Sequence, residues 1–109
     1  MKLFLDDIRT IPDNSWTLIR DVPAVISLLE KHNTKMNRTP ITHLSLDNDL
    51  GEGQIEGYKV MDWIEEMYHT GILTYIPIIS VHSANPVRIN YMIQIIQSFP
   101  HIGYCNYNE

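Results

Sequence analysis

Residues 41–51 read ITHLSLDNDLG, and how this stretch is read decides the fold. Its first part, ITHLSL, has the apolar, β-branched character of a buried strand. It stops abruptly on Asp47, Asn48 and Asp49. Gly51, Gly53 and Gly57 then mark an irregular loop before YKVMDWIEEMYHTG (58–71), where Val60, Trp63, Ile64 and Met67 fall at helical spacing and Gly71 suits a C′ position. A strand that ends in carboxylates and is followed by a helix suggests a sheet that delivers polar groups to the carboxyl ends of its strands.

The same unit recurs on either side. KLFL (2–5) is a short apolar run that ends in Asp6-Asp7, and ILTYIPIISV (72–81) ends in His82-Ser83-Ala84-Asn85-Pro86. After Pro23, which fits a first helical turn, AVISLLEKH sets Val25, Ile26, Leu28 and Leu29 on one stripe. VRINYMIQIIQSF repeats that spacing through Ile89, Met92, Ile93 and Ile96. WTLIRD (16–21) reads as a short strand or an extended connection, NTKMNRTP (33–40) as a loop, and IGYCNYNE (102–109) as one last short strand. The order β, α, β, α, β, α, β predicts a parallel sheet with helices on both faces, in one domain spanning 1–109. Ligands of such sheets bind at the carboxyl ends of the strands, near the point where strand order reverses.

Composition narrows the function classes. Thirteen acidic against eight basic residues give a formal net charge of −5, so there is no global basic field to hold duplex DNA, although a small RNA end is compatible. The aromatic residues do not alternate with basic ones in a single-strand stacking stripe. The one cysteine, Cys105, has no CxxC partner. The N-terminal MKLFLDD lacks a signal-peptide pattern, and no apolar run approaches the roughly 18 residues of a membrane span. A cytoplasmic protein with no membrane partner is expected.

The carboxylates carry the chemistry. Either acidic pair alone is an ordinary turn, since Asp and Asn favour turns. Two strands bringing Asp6, Asp7, Asp47 and Asp49 to one edge is different, because their mutual repulsion calls for a cation between them. A divalent metal with hard oxygen ligands, Mg²⁺ or Mn²⁺, meets that need; pairing with Arg9 or Arg88 is the structural alternative. His82, after the third apolar run, suits proton transfer. Ser83 has no GxSxG around it and reads as a donor to phosphate oxygens or as part of a helix cap. Asn85 reads as a turn-former before proline or as a ligand contact. His32, His43, His69 and His101 show no metal-binding spacing.

LFLDDIR (3–9), LSLDNDLG (44–51) with GYKVMDWI (57–64), and SVHSANPV (80–87) together resemble the cyclic-phosphate processing receiver-like domain family, a distant relative of response-regulator receivers. The resemblance implies a flavodoxin-like, three-layer α/β/α sandwich with a central parallel sheet of four to five strands. It also implies Mg²⁺ on Asp6, Asp7 and one or both of Asp47 and Asp49, and action on a cyclic-phosphate small molecule or on the 2′,3′-cyclic phosphate of an RNA end, a hydrolase activity of the RNA-repair kind. His82, Asp47 and Asp49 would be catalytic, while Arg9, Ser83, Asn85 and Arg88 would orient phosphate oxygens. The chain departs from the patterns it resembles. His82 stands where receivers carry Ser or Thr, and the tail has no lysine, which argues against phosphorelay. Asn48 replaces a family His, and Arg88-Ile89 replaces Gly-Arg. The alternatives are a signalling or non-catalytic module that binds a phosphate ligand, and an interaction protein whose acidic edge meets a basic partner.

Overall fold

The computed structural model describes residues 1–32, 40–73, 75–82, 85–97 and 105–108, the last as backbone. Five strands and three helices follow one another along the described residues: β1 (Lys2–Leu5), β2 (Trp16–Ile19), α1 (Val22–His32), β3 (His43–Leu46), α2 (Tyr58–His69), β4 (Ile78–His82), α3 (Pro86–Gln97) and β5 (Cys105–Asn108). The strands form one sheet in the order β2-β1-β3-β4-β5, with every pairing parallel. Strand order reverses between β1 and β3, where the chain steps left to β2 and then crosses back. A receiver-like α/β fold is therefore present, and WTLIRD does supply a strand.

Strand alternation separates two faces. Leu3 and Leu5, Leu44 and Leu46, and Ile79 and Val81 point into a single core with Val25 and Leu29 of α1, Met61 and Ile64 of α2, and Met92 and Ile96 of α3. All three helices thus share one side of the sheet. Handedness explains this: the crossovers β2-α1-β3, β3-α2-β4 and β4-α3-β5 all run in the same direction across the sheet, and right-handed crossovers in one direction stack on one face. The β1-to-β2 step runs the other way and would place a helix on the second face, but residues 6–15 cross as a loop. The expected third layer is accordingly not found among the described residues. The second face instead carries Phe4, Trp16, His43, Ser45 and His82, with Trp16 packed edge-on to Phe4 and His43.

Local chemistry fixes the ends. Asp21 Oδ1 accepts the Ala24 N–H at 2.9 Å and caps α1. Asn85 Oδ1 accepts the Arg88 N–H at 3.2 Å ahead of Pro86, which opens α3 without a missing bond. Strand β4 begins only after Pro77, whose ring removes a ladder donor, and it extends through His82. The sequence had placed His82 beyond the strand; as its last residue it follows the strand's alternation and turns onto the second face.

Candidate functional site

Strands β1 and β3 are neighbours in register, with Leu5 opposite Leu46, so the residues just past them emerge side by side. Ligand atoms of Asp6, Asp7 and Asp47 lie within 4.8 Å of one another, at the point where strand order reverses. A crevice of ≈ 230 Å³ opens over them, lined by Asp6, Asp7, Ile8, Arg9, Asp47 and Asp49. All four expected carboxylates therefore meet. Asp47, and not Asp49, belongs to the three-residue cluster; Asp49 is exposed at the crevice wall.

Each carboxylate is held differently. Asp6 is 1% exposed, and its Oδ1 accepts the N–H groups of Ile8 and Arg9, both at 2.8 Å, which turns the chain sharply after β1. Its Oδ2 accepts from His82 Nε2 at 3.0 Å. Burial alone would push its pKa up, but the two N–H donors and His82 outweigh that and hold it below the usual carboxylate range. Arg20 secures the same loop, donating through Nη1 to the carbonyls of Asp6 at 3.1 Å and Arg9 at 3.3 Å.

Asp47 shows the opposite balance. Burial and then the Asp6 carboxylate raise its pKa to about 6; the N–H groups of Asn48 and Asp49 only partly offset this, and Asp7 adds to the rise. The loop behind it is pinned by Asn48, which is fully buried. Asn48 Oδ1 accepts the Tyr58 N–H at 3.1 Å, its carbonyl accepts from Gly57 at 2.8 Å, and its Nδ2 donates to Asp49 Oδ1 at 3.2 Å. Gly57 makes this possible, since a Cβ there would lie 1.8 Å from the Asp47 carbonyl oxygen. Gly51, at φ 102°, lets the loop pass beside Asp7.

His82 lies behind Asp6 and not in the crevice wall. It is 3% exposed, its Nδ1 meets Ser45 Oγ at 2.7 Å, and Phe4 stacks on its ring. Burial pulls its pKa down more than Asp6 raises it, so a neutral ring donates to an ionised Asp6. Arg9 is exposed at the rim. Arg88 turns elsewhere, 3.5 Å from Glu56 and over the Tyr58 ring at 4.4 Å. Asn85 serves the first turn of α3, and Ser83 lies outside the described residues. The sequence reading missed Ser45 and Arg20. Ser45 carried a signal, being the one hydroxyl in HLSL and two residues before Asp47, hence on the same side of the strand. Arg20 had none.

The sequence profile of the family described as "Cyclic-phosphate processing Receiver domain" matches residues 1–98. The chain belongs to this family. Among solved structures, this receiver domain is similar to the phosphorylated cyanobacterial phytochrome response regulator RcpA, with 20% identity and a TM-score of 0.58 over 98% of this chain and 79% of that one. It is also similar to the Mn²⁺-bound form of response regulator Rcp1, with 17% identity and a TM-score of 0.56 over 99% and 81% of the two chains. At these identities the likeness establishes the receiver fold. No curated protein matches the chain. No helix among the described residues of this receiver domain is long and apolar enough to cross a membrane.

Proposed function

We propose that this receiver domain binds one divalent cation, Mg²⁺ or Mn²⁺, on Asp6, Asp7 and Asp47, and opens a cyclic phosphate at the crevice above it. The observation that carries the reading is the carboxylate trio itself. Its oxygens converge to within 4.8 Å, no Lys or Arg among the described residues is ion-paired to them, and burial together with the Asp6 carboxylate raises the pKa of Asp47. Three hard oxygen donors beside an open crevice suit Mg²⁺ or Mn²⁺, which keep positions for water and phosphate oxygens. The existence of an Mn²⁺-bound form of the similar response regulator Rcp1 supports the same choice. When bound, the metal would neutralise and polarise a phosphate.

The chain's own residues divide the remaining work. Arg9 at the rim faces the charge of the phosphate. Asp49, outside the trio but on the crevice wall, accepts the proton of the attacking water as the water oxygen bonds to phosphorus and one ring P–O bond breaks; the freed oxygen takes a proton from solvent. At ≈ 230 Å³ the crevice is smaller than the roughly 300–1,000 Å³ of ordinary ligand pockets, so it admits the phosphate end of a ligand while the nucleoside or RNA stays outside. A 2′,3′-cyclic nucleotide and an RNA oligomer with a cyclic-phosphate end, each incubated with Mn²⁺ and followed by ³¹P NMR, test this. Conversion to a phosphomonoester, lost in Asp49→Asn and Asp7→Asn, is expected; unchanged substrate with the wild type would sink the catalytic part.

A second reading rests on Asp47 alone. Its place at the end of β3 inside the trio is where a receiver would accept a phosphoryl group. In that case beryllofluoride binds with Mg²⁺, and Asp47→Asn abolishes it.

A further inference from the structure

Three buried side chains form a hydrogen-bonded line that ends on the proposed metal ligand Asp6. Ser45 Oγ meets His82 Nδ1 at 2.7 Å, and His82 Nε2 meets Asp6 Oδ2 at 3.0 Å. Phe4 lies flat on the imidazole, with centroids 4.2 Å apart and planes 15° apart, and so backs one face of the ring. The three hydrogen-bonding residues are 7%, 3% and 1% exposed. This has the composition of a nucleophilic triad, yet the hydroxyl is the member farthest from the crevice, and no residue of the line except Asp6 lines it. A nucleophile buried there meets no substrate. What the line can do is orient Asp6.

We infer that Ser45 and His82 are positioning residues that fix the Asp6 carboxylate for a divalent cation, an inference that rests on the metal reading of the crevice. The hydrogen-bond inventory sets the polarity. An ionised carboxylate only accepts, so Nε2 carries the proton and Nδ1 is left as an acceptor for the Ser45 hydroxyl. The Ile8 and Arg9 N–H groups occupy Oδ1 on one side, and His82 occupies Oδ2 on the other. Clamped at both oxygens, the carboxylate is held from turning, with one lone-pair site left on Oδ2 beside Asp7 and Asp47. Backing of a metal-ligating carboxylate by a second hydrogen-bonding layer is worth about 10–100-fold in metal affinity. Serine and phenylalanine have separate tasks, one satisfying Nδ1 with its hydroxyl and the other backing the ring plane.

The test uses the full chain, with Mn²⁺ affinity from calorimetry and the His82 tautomer from ¹⁵N NMR of the metal-free protein. The wild type should show a pyrrole-type Nε2 and a pyridine-type Nδ1. Ser45→Ala should keep the Nε2–H tautomer that Asp6 sets and weaken Mn²⁺ by a smaller factor than His82→Leu, which should lose about 10–100-fold. His82→Gln, whose amide N–H can reach the place of Nε2, should recover affinity to within tenfold of the wild type, a rescue that mere core filling would not give. Equal Mn²⁺ affinity in the wild type and His82→Leu, or an Nδ1–H tautomer in the wild type, overturns the inference while leaving the metal site intact. A wild type that binds no Mn²⁺ overturns the metal reading and this inference with it. Should His82→Leu fail to fold, the tautomer and the Ser45→Ala affinity still decide.

Discussion

Asp47 is where stability and function pull apart. Its raised pKa means the metal-free fold holds a proton there that the unfolded chain releases near 3.8. Between that value and about 6 the native state binds more protons than the unfolded state, so this residue's contribution falls as pH rises through the interval. Asp47→Asn should therefore stabilise the metal-free protein at pH 7.5 by about 1–3 kcal/mol, with the gain fading toward pH 4. Urea unfolding of the two proteins at several pH values checks this, and a constant difference across pH would count against the strained carboxylate. Gly57 is the second sensitive residue. Its absent Cβ is what admits the Asp47 carbonyl, so Gly57→Ala must push the loop off α2, at a cost of about 1–3 kcal/mol, and spread the trio. A lower midpoint in urea together with weaker Mn²⁺ binding is the expected pair of results.

At the scale of elements, the site depends on the connection that β1 makes to β2. Residues 6–15 run as a loop, and the part nearest the crevice is held by Asp6 Oδ1 from within and by Arg20, just past β2, from outside. Arg20→Ala removes the outer hold. A loss of about 1 kcal/mol, small because Arg20 is exposed, should be joined by faster amide exchange at Ile8 and Arg9. Unchanged exchange would show that the Asp6 turn stands alone. Much of this level was legible in the sequence, because strands buried on one side or both announce themselves as apolar runs and their polar ends as breaks in those runs. Asp6, Asp7, Asp47 and Asp49 could be placed at one edge on that basis. Ser45 carried only a weak signal, a lone hydroxyl in HLSL two residues before Asp47, which names no role until its partner His82 is known. His82 was legible as unusual but not in its direction, which turned on whether β4 ended before it or with it.

Across the whole molecule, the parallel order 2-1-3-4-5 creates the site by placing the carboxyl ends of β1 and β3 together at the reversal. It also decides how the sheet is covered. Three crossovers in one direction stack α1, α2 and α3 on one face, while the one return step is a loop. Local periodicity carries no record of strand order, so the number of helical layers was out of reach of the sequence even though every helix was legible. Metal should act on this fold as a whole, because the trio joins loops that follow β1 and β3. Ligand linkage predicts roughly 2.7 kcal/mol at a hundred times Kd, on the order of 10 °C in Tm for a domain of this size. The most direct test is calorimetric titration of the wild type with Mn²⁺ at pH 7.5, beside Asp7→Asn and Asp47→Asn. One site per chain, lost in both variants, is the predicted result. No binding by the wild type, or binding that both variants retain, would contradict the metal centre on which the account rests.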